Sequence, residues 1–283
     1  MPSAYLSDRA LLSITGKDAE DFLHSLITTD IAGLPAGHAR PGALLTPQGK
    51  ILFDFLIWRT EGGFLIETDL SQRETLMRRL TMYKLRAAVE IAPQGEGITV
   101  AWGGETLAGG IEDVGFAKAG VALQRAPGQQ SDAEADADDG AYQALRIEAG
   151  LALSGRDYPL QDAFPHDVLL DKDDGLSFRK GCYVGQEVVS RMQHRGTARR
   201  RVAIVSAQKP LPVAGTEIIA AGKPVGTLGS SAGDKGLAIV RIDRVGDALA
   251  GGVPLTADGI EVSLALPAWT GLSFPTDAPE AET

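Results

Sequence analysis

Residues Lys180 to Glu187 read Lys-Gly-Cys-Tyr-Val-Gly-Gln-Glu, and Cys182 is the only cysteine of the 283-residue chain. A thiol attacks or binds metal as the thiolate, a form that neighbouring cations stabilise. Arg179 and Lys180 supply such cations, while Gly181 and Gly185 let a backbone or ligand approach closely. The positive region extends well past the octapeptide. From Arg179 to Arg201 stand seven cations, Arg179, Lys180, Arg191, Arg195, Arg199, Arg200 and Arg201, against the single acid Glu187, in a chain of net charge −10. Such a field favours the thiolate and attracts an anionic ligand or a phosphate backbone. The competing reading makes Cys182 a small buried hydrophobe and the arginines a solvated strap between domains.

Two carboxylates join the candidate chemistry. Glu148, within Arg146-Ile147-Glu148-Ala149-Gly150, falls near the C-terminus of a predicted helix, where the macrodipole disfavours negative charge. It either accepts paired hydrogen bonds from an amino-heterocycle, or it is an ordinary partner of Arg146 or an exposed charge. Asp54 lies inside the apolar run Ile51 to Trp58, so a buried face would oblige it to find a cation or donor; an exposed edge is the alternative.

Other chemistries lack their residues. His24, His38, His166 and His194 show no metal-ligand spacing, so no metal site is expected. Neither Gly-x-x-x-x-Gly-Lys-Ser/Thr nor Gly-x-Ser-x-Gly occurs, which removes support for nucleotide-driven and serine-hydrolase mechanisms. One cysteine excludes an internal disulfide framework, and a thiolate-ligated iron–sulfur cluster would need ligands from a second molecule. Trp58, Trp102 and Trp269 are scattered rather than interleaved with cations and read as core or interface residues.

The elements that must position these groups follow from periodicity. Ala19, Phe22, Leu23, Leu26 and Ile27 predict a helix over about 17–28 with acids in its first turn. Leu45 to Arg59 predicts a hairpin around Pro47-Gln48-Gly49, followed by a strand at Phe64 to Glu67. Ser71 and Glu74 form a capping-box signature before a helix to about Leu85. Short strands are predicted at Val89 to Ile91 and Ile98 to Trp102, and a helix at Tyr142 to Ala149 that stops at Gly150. Pro127 to Gly140, with Asp132, Glu134, Asp136, Asp138 and Asp139, reads as a mobile acidic loop. From Arg201 onward, short apolar segments separated by Gly-rich turns predict a small antiparallel barrel or sandwich, and the segment after Phe274 a frayed tail.

A hydrophobic fraction of 44% and a charged fraction of 23% fit a soluble globular chain with room for two or three cores. Met1 to Ile14 lacks the pattern of a secretory signal and no run is long enough to span a membrane, so a cytoplasmic, membrane-free protein is expected. Net charge −10 argues against a surface built as a whole for nucleic acid.

The octapeptide Lys180, Gly181, Cys182, Tyr183, Val184, Gly185, Gln186, Glu187, followed by Arg191, resembles the signature of the YgfZ family of folate-binding proteins, relatives of the glycine-cleavage T-protein. The likeness covers most of the chain, including Leu12 to Ile31, Leu44 to Trp58, Tyr142 to Tyr158 and Arg199 to Arg201. It implies an α+β, three-domain ring around a central cavity that takes tetrahydrofolate or a derivative. Its parts would be a T-protein-like domain (1–41 and 126–198), a ferredoxin-like domain (42–125) and a C-terminal antiparallel β-barrel (199–272), with a tail at 273–283. It also implies assembly or repair of 4Fe-4S proteins, including radical enzymes that modify tRNA, with iron–sulfur client proteins as partners and tRNA as a weaker one. On this resemblance Glu148 holds the pterin, Asp54, Arg191 and Arg199 contribute to the folate site, and Cys182 is the reactive group. The T-protein hairpin carries paired aspartates where this chain has Phe53 and Asp54, which counts against aminomethyl transfer. A folate-dependent one-carbon transferase using Asp54, and an RNA or protein adaptor docking through Arg191 to Arg201, are the alternatives.

Overall fold

Strand pairing closes two sheets on themselves. The computed structural model describes residues 2–104, 106–130 and 139–275; most of the expected acidic loop, including Asp132, Glu134, Asp136 and Asp138, and most of the tail lie outside the described residues. The first sheet uses, in chain order, β1 (Ser3–Thr15), α1 (Ala19–His24), β2 (His38–Leu45), β3 (Ile51–Thr60), β4 (Gly63–Asp69), α2 (Arg73–Lys84), β5 (Glu90–Trp102), β6 (Ile111–Asp113), α3 (Val114–Lys118) and β7 (Leu123–Pro127). Its strand order is β1-β4-β3-β2-β6-β7-β5, closed by β5 pairing with β1. Every neighbouring pair is antiparallel except β2 with β6. The closed sheet therefore runs through position 41/42, since β1 pairs with both β4 and β5.

The predicted hairpin forms as β2 and β3, with Ala43 opposite Asp54. Along β3, Phe53, Phe55 and Ile57 pack under α1 and α2, whereas Leu56 and Trp58 join the cluster of Phe116 and Tyr142 on the other face. The two-residue period puts Asp54 on that second face. Since β3 is flanked by β2 and β4, the exposed-edge alternative for Asp54 does not hold.

Three local expectations are corrected. The first helix ends at His24, because Ile27 leaves to form a bridge with Leu44 and the Thr28 N–H donates to Ala43 O. The capping box does not form: the Ser71 hydroxyl donates to Asp69 at 2.5 Å, and Glu74 pairs with Arg78 one turn along α2. The two short strands at 89–102 are one strand, β5, whose register shifts against β1 absorb the Pro- and Gly-rich middle as bulges.

Helix α4 (Asp139–Ala149) and α5 (Gln186–Arg195) connect to the second sheet through an irregular segment. That sheet contains β8 (Arg200–Ala207), β9 (Glu217–Ala220), β10 (Lys223–Ala232), β11 (Lys235–Arg241), β12 (Leu255–Ala257) and β13 (Ile260–Ala265), with α6 (Ile242–Ala250) inserted after β11. It closes in the order β10-β11-β8-β13-β12-β9, so the expected α+β class and C-terminal antiparallel barrel are both present. A core cluster joins the two barrels: Leu45 and Ile51 of the hairpin, Ile147 of α4 and Val189 of α5 meet Val202 and Leu237. Among the described residues no helix is long and apolar enough to cross a membrane.

Candidate functional site

Cys182 is exposed on the loop that leads into α5. The residues around it clamp that loop to the first barrel. The Lys180 ammonium donates to the carbonyls of His24, Ile27 and Thr29 at 2.6, 2.6 and 3.0 Å, which satisfies acceptors left free beyond the end of α1. Burial brings the Lys180 pKa down to about 8. Its nitrogen also lies 5.0 Å from the ring centroid of Tyr183, a cation–π contact. Tyr183 is buried and burial raises its pKa, and among the described residues its hydroxyl has no hydrogen-bond partner.

On the other side of the sulfur, Gly185 adopts φ +78°, and a Cβ there would stand 2.5 Å from the carbonyl oxygen of Thr46 in the hairpin turn. Only glycine fits both demands. Gln186 starts α5, and Glu187 pairs with Arg191 at 2.8 Å on its exposed face. Gly181 is different. A Cβ there would meet open space, so nothing within the chain requires a glycine beside the thiol.

The positive strap is smaller than its sequence count. Arg200 pairs with Asp162 and Asp167, and Arg201 with Asp171. Lys180 and Arg191 are engaged as above, which leaves Arg179, Arg195 and Arg199 exposed. The aspartates that pair with Arg200 and Arg201 lie upstream of Arg179, whereas Arg191 is met by Glu187 within the strap itself.

Glu148 lies on the outer face of α4. Its side chain is 54% exposed and accepts from Lys235 of β11 at 2.5 Å, and it does not line the cavity described next. Helix α4 buries Tyr142, Arg146, Ile147 and Ala149, and that face sets Glu148 outward. The partner of Glu148 is thus Lys235 rather than Arg146.

A cavity of about 90 Å³ lies between the open face of the first barrel, α3, α4 and the irregular segment 151–173. Asp54 is in its wall. One of its oxygens accepts from the Ser154 hydroxyl at 2.5 Å, the other from the Ser154 N–H at 2.9 Å and the Tyr158 hydroxyl at 2.7 Å. Neutral donors thus meet the requirement that burial places on this carboxyl. Burial and the neighbouring Asp54 push the Tyr158 pKa well up, so it remains a donor.

Around the rest of the wall runs a buried ion network that sequence inspection missed. Glu67 accepts from Arg9 at 2.8 Å and from Arg125 at 2.7 Å, Arg125 also donates to Asp113 and to the Tyr142 hydroxyl, and Arg146 donates to Asp157 at 2.7 Å. Arg125 stays charged: its burial is outweighed by Glu67, Tyr142 and Asp113, and its pKa is raised. The sequence held a weak signal, since Arg9 directly precedes the apolar run Ala10 to Leu12 and Glu67 directly follows Phe64 to Ile66. Their convergence depends on strand order, which the sequence does not display. Neither Cys182, Arg191 nor Arg199 lines this cavity.

Comparison with known proteins places this geometry in a family. The iron–sulfur cluster assembly factor IBA57, mitochondrial, of Mus musculus is 31% identical over 85% of this chain and 77% of its own length. The Homo sapiens protein of the same name is likewise 31% identical, with the same coverage. The chain belongs to the IBA57 family. Residues 199–272 match the CAF17 C-terminal beta-barrel domain, the span of the second barrel. The relatives are named mitochondrial proteins, which overturns the expectation of a cytoplasmic location. The fold superposes on the glycine cleavage system aminomethyltransferase T of Bartonella henselae with a TM-score of 0.67, covering 94% of this chain and 86% of that one at 19% identity. At that identity the likeness is one of fold alone.

Proposed function

We propose that this IBA57-family chain assists the assembly of iron–sulfur proteins, with Cys182 as the thiol that meets the client or its iron. One observation carries the reading: the only cysteine of the chain is exposed, on a loop pinned by Lys180 on one side and Gly185 on the other. A pinned loop presents its sulfur in one geometry, so docking does not have to order it. The open space at Gly181 leaves room for a partner backbone beside the sulfur. A single thiolate fills one coordination position, so partner thiolates must supply the remainder.

The test is complementation of cells that lack the chain, with the activity of a 4Fe-4S enzyme as readout. Cys182→Ala should accumulate as folded protein yet leave the client enzyme inactive. Full recovery of client activity would remove the thiol from the mechanism. Radical enzymes that modify tRNA are the finer client class proposed, on the YgfZ-type resemblance of residues 180–187, and loss of their tRNA products in the same cells is the matching readout.

Tetrahydrofolate is the ligand proposed for the cavity, with Asp54 as a wall carboxyl. At about 90 Å³ the cavity is smaller than the roughly 150 Å³ void that accepts benzene, so a bicyclic ring would fill it only in part unless its walls shift. Titration with tetrahydrofolate should saturate in the wild type and weaken in Asp54→Asn while leaving Glu148→Gln unaffected. Absence of saturable binding would refute the folate part alone.

A further inference from the structure

Asp173 lines the cavity and is 4% exposed. Its Oδ1 accepts from the N–H of Gly175 at 3.0 Å, and among the described residues no cation pairs with it. The acids beside it are matched, Asp171 by Arg201 and Asp174 by Lys118. The cavity's arginines are matched as well: Arg9 and Arg125 by Glu67, Arg125 again by Asp113, and Arg146 by Asp157. Asp54, in the same wall, is met only by the hydroxyls of Ser154 and Tyr158 and one N–H. Each of these cations has its anion, and two carboxyls of one cavity have no cation.

A buried carboxyl without a counter-charge is costly, and a single backbone donor compensates only part of that cost. Burial, together with the nearby acids Asp171, Asp174 and Asp113, holds Asp173 well above the usual carboxylate range. The chemistry that would complete the wall is a compact positive group with N–H donors. The volume suits a group of a few heavy atoms, since it falls short of the void that admits benzene.

We propose that this cavity binds a small organic cation bearing N–H donors, an alkylammonium or guanidinium group, paired with Asp173 and bordered by Asp54. On entry the Asp173 carboxyl gives its proton to solvent and the carboxylate accepts from the incoming N–H, while the cation keeps its charge. The site shares its walls with the folate proposal and is independent of Cys182. Cation binding without folate binding refutes only the folate part, and folate binding without cation binding refutes only this inference.

The test titrates the full chain with methylguanidinium and methylammonium at constant ionic strength, with N-methylurea as the neutral near-isostere, followed by amide NMR. Both cations should saturate and shift the Gly175 amide, and N-methylurea should not. Asp173→Asn, which matches the protonated acid in shape, should lower cation affinity about tenfold or more, the effect of losing a charge-assisted hydrogen bond. Calorimetry in buffers of different ionisation enthalpy, run at about pH 5 to 7, should detect proton release in the wild type and none in the variant. Nα-acetyl-arginine amide distinguishes a free small cation from the end of a larger molecule: exclusion assigns the site to a free cation, and binding to a side chain or longer amine. An equal response to N-methylurea, unchanged affinity in Asp173→Asn, or binding with no proton release would overturn the proposal.

Discussion

Around Cys182 the cations hold the chain in place, whereas around Asp54 charge is matched almost group for group inside a closed wall. Lys180 is bound by three carbonyls and Arg200 and Arg201 by three aspartates, so these side chains fix the loop and its junction with the second barrel. The sulfur itself is left to solvent. In the cavity, Arg9, Arg125 and Arg146 are each buried against carboxylates, and among the described residues no cation pairs with Asp173 or Asp54. One region holds a single exposed thiol on a pinned loop. The other is a buried polar cradle whose remaining demand is for a donor.

Substitutions can break this contrast, and the largest effect belongs to the cavity network. Glu67→Gln removes the shared partner of Arg9 and Arg125 and leaves buried positive charge uncompensated, for which about 3–5 kcal/mol of stability should be lost. Denaturant unfolding measures it; a loss below about 1 kcal/mol would mean that the network is more hydrated than the structure shows.

Gly185→Ala tests the loop next. Its positive φ and the 2.5 Å approach to Thr46 O should cost about 1–3 kcal/mol and loosen the Cys182 loop, seen as faster amide exchange at Tyr183 and Gln186. Gly181→Ala, with open space at the new methyl, should leave stability unchanged. Equal effects at the two glycines would erase the distinction between the clamp and the docking side.

A smaller effect carries a pH signature. Asp173 has a folded pKa raised above its unfolded value, so the folded state holds its proton longer and stability falls as pH rises above about 4 through the folded pKa. Asp173→Asn should remove that decline and be at least as stable as the wild type near neutrality, by thermal melts across pH. His166 has the opposite sign of slope. Burial lowers its pKa, so stability falls as pH drops below about 6.5, and a His166→Gln variant should flatten that acid limb. The smallest effect is expected at Glu148→Gln, where loss of the exposed pair with Lys235 should leave the melting temperature within error.

The loop was readable in the sequence because its residue types are contiguous: Lys180, Cys182 and Gly185 fall within one octapeptide, although what Lys180 and Gly185 hold, the carbonyls of His24, Ile27, Thr29 and Thr46, lies far away in sequence. The second barrel was readable as a class, since its short apolar segments are separated by Gly-rich turns, but its closure rests on pairings of β8 with β11 and β13 and of β9 with β12 that the sequence does not display. Asp54 was flagged by its apolar surroundings, but its partners Ser154 and Tyr158 are about a hundred residues away and owe their position to tertiary packing. The pairing of Glu148 with Lys235 was hidden for the same reason. The helix was foreseen, but which face α4 turns to the cavity is decided by packing against the two barrels. The cation count around Cys182 misled because the aspartates from Asp162 to Asp171 are adjacent in space and lie outside the stretch that was counted.

Alkylation of the folded protein tests the central claim most directly, because Cys182 is the only thiol present. Iodoacetamide should modify one sulfur per chain without unfolding it, and the alkylated protein should no longer restore a 4Fe-4S client enzyme in a reconstitution assay. A thiol that reacts only after denaturation, or an alkylated protein that restores the client in full, would contradict the account.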